Sequence, residues 1–306
     1  MITVLCGGVG AARMLQALRG VAAPSTITGI VNTGDDLTLH GLRICPDLDT
    51  ITYTLAGLNN DETGWGLTGE SWRVMDELER LGGEAWFRLG DRDLATHLYR
   101  TQRLHDGATL LEVTAELCDR LGVDVRLLPM SEEPVATAFE TVEHGRMSFQ
   151  DYFVRHHHDV TVTAIEFEGA QRASPAPGVL EALEHAERIV ISPSNPLISI
   201  APILAVPGVQ DVLERRRDAV VAVSPLVAGR ALKGPAERLL RELGHEPSPA
   251  GIAALYVGVA GTLVIDELDQ DQASSVRATG LACRVTTTVM SEPDAARELA
   301  KVVLDG

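Results

Sequence analysis

Lysine is nearly missing from this 306-residue chain: it occurs only at Lys233 and Lys301. Arginine is common, a pattern that genome composition accounts for. Acidic residues outnumber basic ones, 43 to 26, for a formal charge of −17. That balance excludes a general nucleic-acid surface or an anionic-membrane surface, because phosphate backbones and acidic headgroups need a basic face. An anionic small molecule remains admissible where local arginine, lysine or metal receives it. Cysteine is scarce as well, and Cys6, Cys45, Cys118 and Cys283 include no C-x-x-C pair, which argues against a zinc site. Cys6 at a strand end and Cys118 in an apolar helical pattern read as buried free thiols. No apolar run reaches membrane-spanning length and no signal peptide precedes the first strand, so a cytoplasmic location is expected.

What is present begins with "VLCGGVGAARML". Residues 2–6 are an apolar run that reads as a buried strand. Gly7, Gly8 and Gly10 crowd into four positions, and a helix-like run over 11–18 follows. A strand, a glycine turn and a helix N-terminus form an anion site, since backbone N–H groups point outward and glycine admits a phosphate. A side chain at Gly10 is expected to block that approach. The dinucleotide fingerprint G-x-G-x-x-G wants glycine where Arg13 stands. Arg13 weakens that reading and puts a cation near a bound phosphate. A purely structural turn is the alternative.

Residues 26–31 read as a second strand, so the first βαβ unit predicts parallel pairing. It ends in Asn32-Thr33-Gly34-Asp35-Asp36. Helical spacing over 71–80 and 110–121 predicts a helical insertion, residues 50–120, over the site. Residues 124–168 read as a small β-rich subregion, with strands at 125–129, 136–142 and 160–167. Within it, "RHHHD" at 155–159 places successive histidines on opposite sides of a strand, where they do not converge on one ion. Arg155 alone is a candidate to face a ligand. Apolar strands then recur at 188–191, 219–223, 263–266 and 283–285. The first two end in Ser192-Pro193-Ser194-Asn195-Pro196 and Ser224-Pro225-Leu226. In open α/β sheets the ligand sits beyond the carboxyl ends of the strands. The glycine loop, the Asp35-Asp36 turn and both Ser-Pro turns share that edge. The expected fold is therefore α/β and Rossmann-like, a mostly parallel sheet flanked by helices, in one large domain over 1–306.

Acidic residues come in pairs: Asp35 with Asp36, Asp47 with Asp49, Asp91 with Asp93. "PDLDTITYTLAG" looks like a helix start, and one aspartate suffices as its cap, which leaves Asp49 over. Carboxylates beside a phosphate loop repel the ligand unless a cation intervenes, and Mg²⁺ bridges carboxylate and phosphate oxygens. The pattern favours metal-assisted chemistry on a phosphate ester or anhydride, with Asp35, Asp36 and Asp49 as metal candidates. In "WFRLGDRD", Arg88 and Arg92 flank Asp91. An arginine there holds a phosphate or stacks on a flat ring, or forms an inert surface pair. Lys233 sits in the turn "ALKGP", near the carboxyl-end edge.

"GGVGAAR", "NTGDD", "ICPDLDT", "LGDRDLATHL", "SPSNP" with "ISIAPIL", and "SPLVAGRALKGPA" occur here in one order. Together, from Gly7 to Pro235, they resemble the 2-phospho-L-lactate transferase family of coenzyme F-420 biosynthesis. Its actinobacterial members are called phosphoenolpyruvyl transferases. The resemblance implies a guanosine diphosphate ester of lactate or enolpyruvate as donor and the deazaflavin alcohol Fo as acceptor. It implies GMP as leaving group, F-420-0 or its dehydro form as product, Mg²⁺ as cofactor and a homodimer as the usual assembly. By matching motifs, Asp49 and Arg88 fall where the family contacts deazaflavin. Gly7, Gly8, Gly10, Arg13, Ser192, Asn195, Pro196, Ser224 and Lys233 fall on the nucleotide side. Asp49 and Asp36 are the candidate catalytic residues. Two rivals remain: a nucleotide-sugar-binding regulator of the related gluconeogenesis-factor family, and an NAD-dependent oxidoreductase.

Overall fold

The computed structural model describes residues 1–60 and 64–305; residues 61–63 of the expected helical insertion lie outside them, as does residue 306. The chain enters at β1 (Ile2–Cys6), buried along its whole length. It turns through the glycine loop into α1 (Gly8–Arg19) and returns as β2 (Ile27–Val31). A short hairpin of β3 (Leu37–Leu39) and β4 (Leu42–Ile44) leads to helices α2 (Pro46–Leu55), α3 (Arg73–Arg80), α4 (Asp91–His105) and α5 (Leu110–Leu121). Then come β5 (Arg126–Pro129), β6 (Ala136–Thr141), β7 (Gly145–Ser148) and β8 (Val162–Glu168). The chain closes with β9 (Arg188–Ile191), β10 (Val220–Val223), the two-residue strands β11 (Leu226–Val227) and β12 (Arg230–Ala231), β13 (Thr262–Ile265) and β14 (Ala282–Val285).

Seven strands form one sheet in the order β5-β2-β1-β9-β10-β13-β14, and every pair is parallel. Near-continuous apolar runs such as "ITVLC" and "VVAV" suit strands covered on both faces. Val4 and Cys6 point into a core shared with α1, α2, α5 and the C-terminal helix Pro293–Asp305. Leu5, Ile189 and Ile191 point the other way, onto the helices Val179–His185, Val209–Arg215, Pro249–Tyr256 and Ala273–Ala278. The order of strands reverses between β1 and β9. A crevice opens there at the carboxyl edge, the standard ligand position of doubly wound sheets.

Two expectations are corrected. Residues 126–129 do not belong to the β-rich subregion; they pair parallel with β2 as the edge of the main sheet. The separate antiparallel sheet is β7-β6-β8 alone. The "RHHHD" segment is not a strand. Asp151–Arg155 is one wide helical turn, and His157 and His158 have left-handed backbones, with φ of 50° and 47°. Arg155 lies 4.3 Å over the Trp86 ring and His156 packs on His144, so aromatic packing holds the segment.

Among the described residues, no single helix is long and apolar enough to cross a membrane.

Candidate active site

The glycine loop and the turn after β9 are bolted together. Ser192 Oγ donates to the Leu5 carbonyl at 2.7 Å, and Ser194 Oγ donates to the Gly7 carbonyl at 2.6 Å. Gly10 lies inside α1, where an added Cβ would come within 2.3 Å of the Pro193 carbonyl oxygen. Its small size is therefore demanded first by packing between the two turns, and only secondarily by ligand approach. Gly8 differs: its φ is +68° and space around it is open.

The first donor of α1 is already engaged. Gly8 N–H donates to Asp47 Oδ1 at 2.7 Å, and Asn32 Nδ2 donates to Asp47 Oδ2 at 2.9 Å. Asp47 is not a helix cap: Cys45 is the N-cap of α2, and Asp47 reaches across to α1. The helix N-terminus favours that charge, but burial pushes the Asp47 carboxyl up to about 6. Asn32 Nδ2 also lies 3.4 Å from Asp35 Oδ1. Asp35 is pushed well above the carboxylate range by burial and then by Asp47 and Asp36. Asp35 and Asp47 thus share one amide, and neither is ion-paired with a cationic side chain among the described residues.

Asp49, one helical turn into α2, has its own partner. Both its oxygens accept from the terminal nitrogens of Arg100, a fully buried guanidinium on α4. His97 Nδ1 lies 3.7 Å from Asp49 Oδ2, and His97 Nε2 lies 3.2 Å from Asp93 Oδ2. Tyr53 OH donates to Asp93 Oδ1 at 2.6 Å. Burial opposes the charge of Asp93, but these donors hold its carboxyl below the usual range. Asp49, Asp93 and His97 have ligand atoms within 4.8 Å of one another, yet Arg100 already supplies a cation to this cluster.

One cavity of about 590 Å³ adjoins these groups. Its lining includes the glycine loop, Ser194, Asn195, Ser224 and Thr288, and the aromatic side chains of Trp86, Phe149 and Phe153. Asp35, Asp47, Asp49, Asp93 and His97 also line it. Asn195 Oδ1 accepts from the Leu197 N–H, while its Nδ2 is buried with no partner among the described residues, a donor available to a ligand. Arg13 and Lys233 line the cavity with no carboxylate partner among the described residues. Arg88 lines it too, but its guanidinium donates to Asp76 at 2.6 Å and lies 5.4 Å over Trp72.

Three of the sequence candidates do not line this cavity. Asp36 does not line the cavity; its carboxylate accepts from Arg43 at 2.8 Å, and burial, partly offset by Arg43, pushes it up to about 7. Its charge is met by a side-chain cation, unlike those of Asp35 and Asp47 among the described residues. Ser192 lies beneath the cavity, since its hydroxyl is spent on joining β9 to β1. Pro196 is turned into the core at the start of the turn Pro196–Ile200. The residues missed are Asn32, Tyr53, Arg100 and the aromatic wall. Asp93, His97 and Arg100 at spacings of four and three made a polar stripe on α4, a readable signal.

Comparison with known proteins decides the family. The family model for 2-phospho-L-lactate transferase CofD matches residues 2–302. The chain belongs to that family. A relative from Streptomyces griseus named phosphoenolpyruvate transferase is 44% identical, over 99% of this chain and 97% of its own. One from Methanosarcina acetivorans named 2-phospho-L-lactate transferase is 37% identical, over 98% and 97%. This family member is accordingly an enzyme, a transferase. Among solved structures, a UPF0052-family protein from Bacillus halodurans aligns over 99% of this chain and 98% of its own. Its TM-score is 0.62 at 14% identity, a likeness of fold alone.

Proposed function

We propose that this enzyme transfers a phosphoenolpyruvyl or 2-phospholactyl group in coenzyme F-420 biosynthesis. The donor is a guanosine diphosphate ester and the acceptor is the terminal ribityl hydroxyl of the deazaflavin Fo. The observation that carries the reading is that one cavity is lined together by the glycine loop, buried carboxylates and aromatic side chains. That combination suits a nucleoside diphosphate ester meeting a flat ring on a polyol tail. The hydroxyl oxygen bonds to the phosphorus that bears the three-carbon unit. The bond from that phosphorus to the bridging oxygen breaks, and GMP leaves with the electron pair. Asp49 faces the cavity and is the acceptor for the hydroxyl proton. Asn195 Nδ2, Arg13 and Lys233 receive donor oxygens, and Trp86, Phe149 and Phe153 take the ring.

Mg²⁺ fits Asp35 and Asp47. Both are buried oxygen donors, raised in pKa by burial and lacking a side-chain cation among the described residues, the environment a hard divalent ion relieves. Bound there, it would neutralise charge on the diphosphate. The names of the Streptomyces relatives, at 42–44% identity, support the enolpyruvyl donor over the lactyl one. A cytoplasmic homodimer completes the reading.

Incubating the full chain with Fo, Mg²⁺ and each guanylated donor, followed by mass analysis, tests it. Dehydro-F-420-0 from the enolpyruvyl donor is expected. Absence of product from both donors, with thermal stabilisation by a nucleotide sugar, would support the regulator instead.

A further inference from the structure

We propose that Arg100 is a positioning residue for the transfer, fixing the Asp49 carboxylate in plane and neutralising it so that it receives the acceptor hydroxyl rather than the divalent cation. This rests on the transfer reading above. Arg100 is 2% exposed, and a guanidinium is kept at such a place only when paired. Its terminal nitrogens reach both oxygens of Asp49, the two-point grip that a planar fork gives a carboxylate. Nη1 also donates to the Arg43 carbonyl at 3.3 Å and approaches His97 Nδ1 at 3.3 Å. A guanidinium only donates, so the proposed positioning takes Nδ1 as the acceptor, with the imidazole proton on Nε2, 3.2 Å from Asp93 Oδ2. Tyr53 completes the run by donating to Asp93. Five side chains, Tyr53, Asp93, His97, Arg100 and Asp49, therefore stitch α2 to α4. Asp49 cannot rotate without stranding a buried cation. Each of its oxygens keeps a lone pair for a hydroxyl in the cavity, whereas a divalent ion there would be repelled by the guanidinium.

The test compares Arg100→Met, Arg100→Lys, Asp49→Asn and the double variant Asp49→Asn/Arg100→Met in the intact chain. Arg100→Met is expected to lower kcat about 100-fold or more, with KM for the guanylated donor within about threefold. Arg100→Lys keeps the charge and should recover about tenfold of that loss. The double variant should be no slower than Asp49→Asn, because Arg100 acts through Asp49. Should Arg100→Met fail to fold, the double variant, which removes both members of the buried pair, still carries that comparison. A kcat of Arg100→Met near wild type, or losses that multiply in the double variant, would overturn the proposal. A wild-type enzyme that transfers nothing sinks the transfer reading instead. The clamp is then read separately from the ¹⁵N shifts of the His97 ring. Protonation at Nε2 in wild type and its loss in the double variant support the clamp; an unchanged tautomer refutes it.

Discussion

A Cβ at Gly10 would lie 2.3 Å from the Pro193 carbonyl, so even alanine forces apart the two turns that flank the crevice. Overpacking of this kind costs about 1–3 kcal/mol. Gly10→Ala should lower Tm by roughly 2–5 °C and weaken GDP binding together; scanning calorimetry and titration calorimetry check both. A Tm equal to wild type would mean that the turns yield freely. Asn195 and Ser192 stand close in sequence and divide the labour. Asn195→Asp keeps the acceptor that caps Leu197 but removes the orphan donor and adds charge. GDP affinity should fall about tenfold or more. Ser192→Ala removes a buried bond to Leu5 and should cost about 1 kcal/mol of stability with GDP affinity nearly unchanged. The opposite pattern would exchange their roles.

Helix α3 is held to α4 by apolar packing of Met75 and Leu78 near Leu94 and by one aspartate. The Asp91 carboxylate accepts from Ser71 Oγ and from the N–H groups of Arg73 and Val74, the open end of α3. These bonds lower the Asp91 pKa, first through Ser71. The aspartate that opens "DRD" thus serves structure, while Asp93, two positions on, turns to Tyr53 and His97. Asp91→Ala should speed amide hydrogen exchange across Arg73–Arg80 and leave β1, β9 and β10 protected. Uniform acceleration across both regions would show that α3 is not an independent unit. Adjacent acids look alike in sequence; their helical phase and the neighbouring turn decide which one faces the cavity.

Over the whole molecule, the buried carboxylates make stability depend on pH in a definite direction. Asp36 is raised to about 7, Asp47 to about 6, and Asp35 is raised as well, all chiefly by burial. Unfolded aspartate titrates near 3.9. Between about pH 4 and 7 the folded chain holds protons that the unfolded chain has released, so stability falls as pH rises. The Tm of metal-free protein should drop from pH 5 to 7.5. Mg²⁺ should restore more at pH 7.5 than at pH 5, since it relieves only ionised carboxylates. A metal-free Tm that climbs over this range would contradict the assigned burial cost.

The parallel sheet, a cavity at its carboxyl edge and the family were legible in the sequence. Each rests on local or ordered signals: apolar runs of strand length, glycines before a helix, Ser-Pro turns after strands, and motifs in a set order. Which aspartate does what was decided only by tertiary structure. Asp35, Asp36, Asp47 and Asp49 are chemically equivalent along the chain. In space Asp36 meets Arg43, Asp49 meets Arg100, and Asp35 and Asp47 meet only amide and backbone donors. Those partners lie up to 51 residues away, and no spacing rule joins them. The charge of a buried carboxylate is set by whether a cation reaches it, and that is a property of how helices pack rather than of their order.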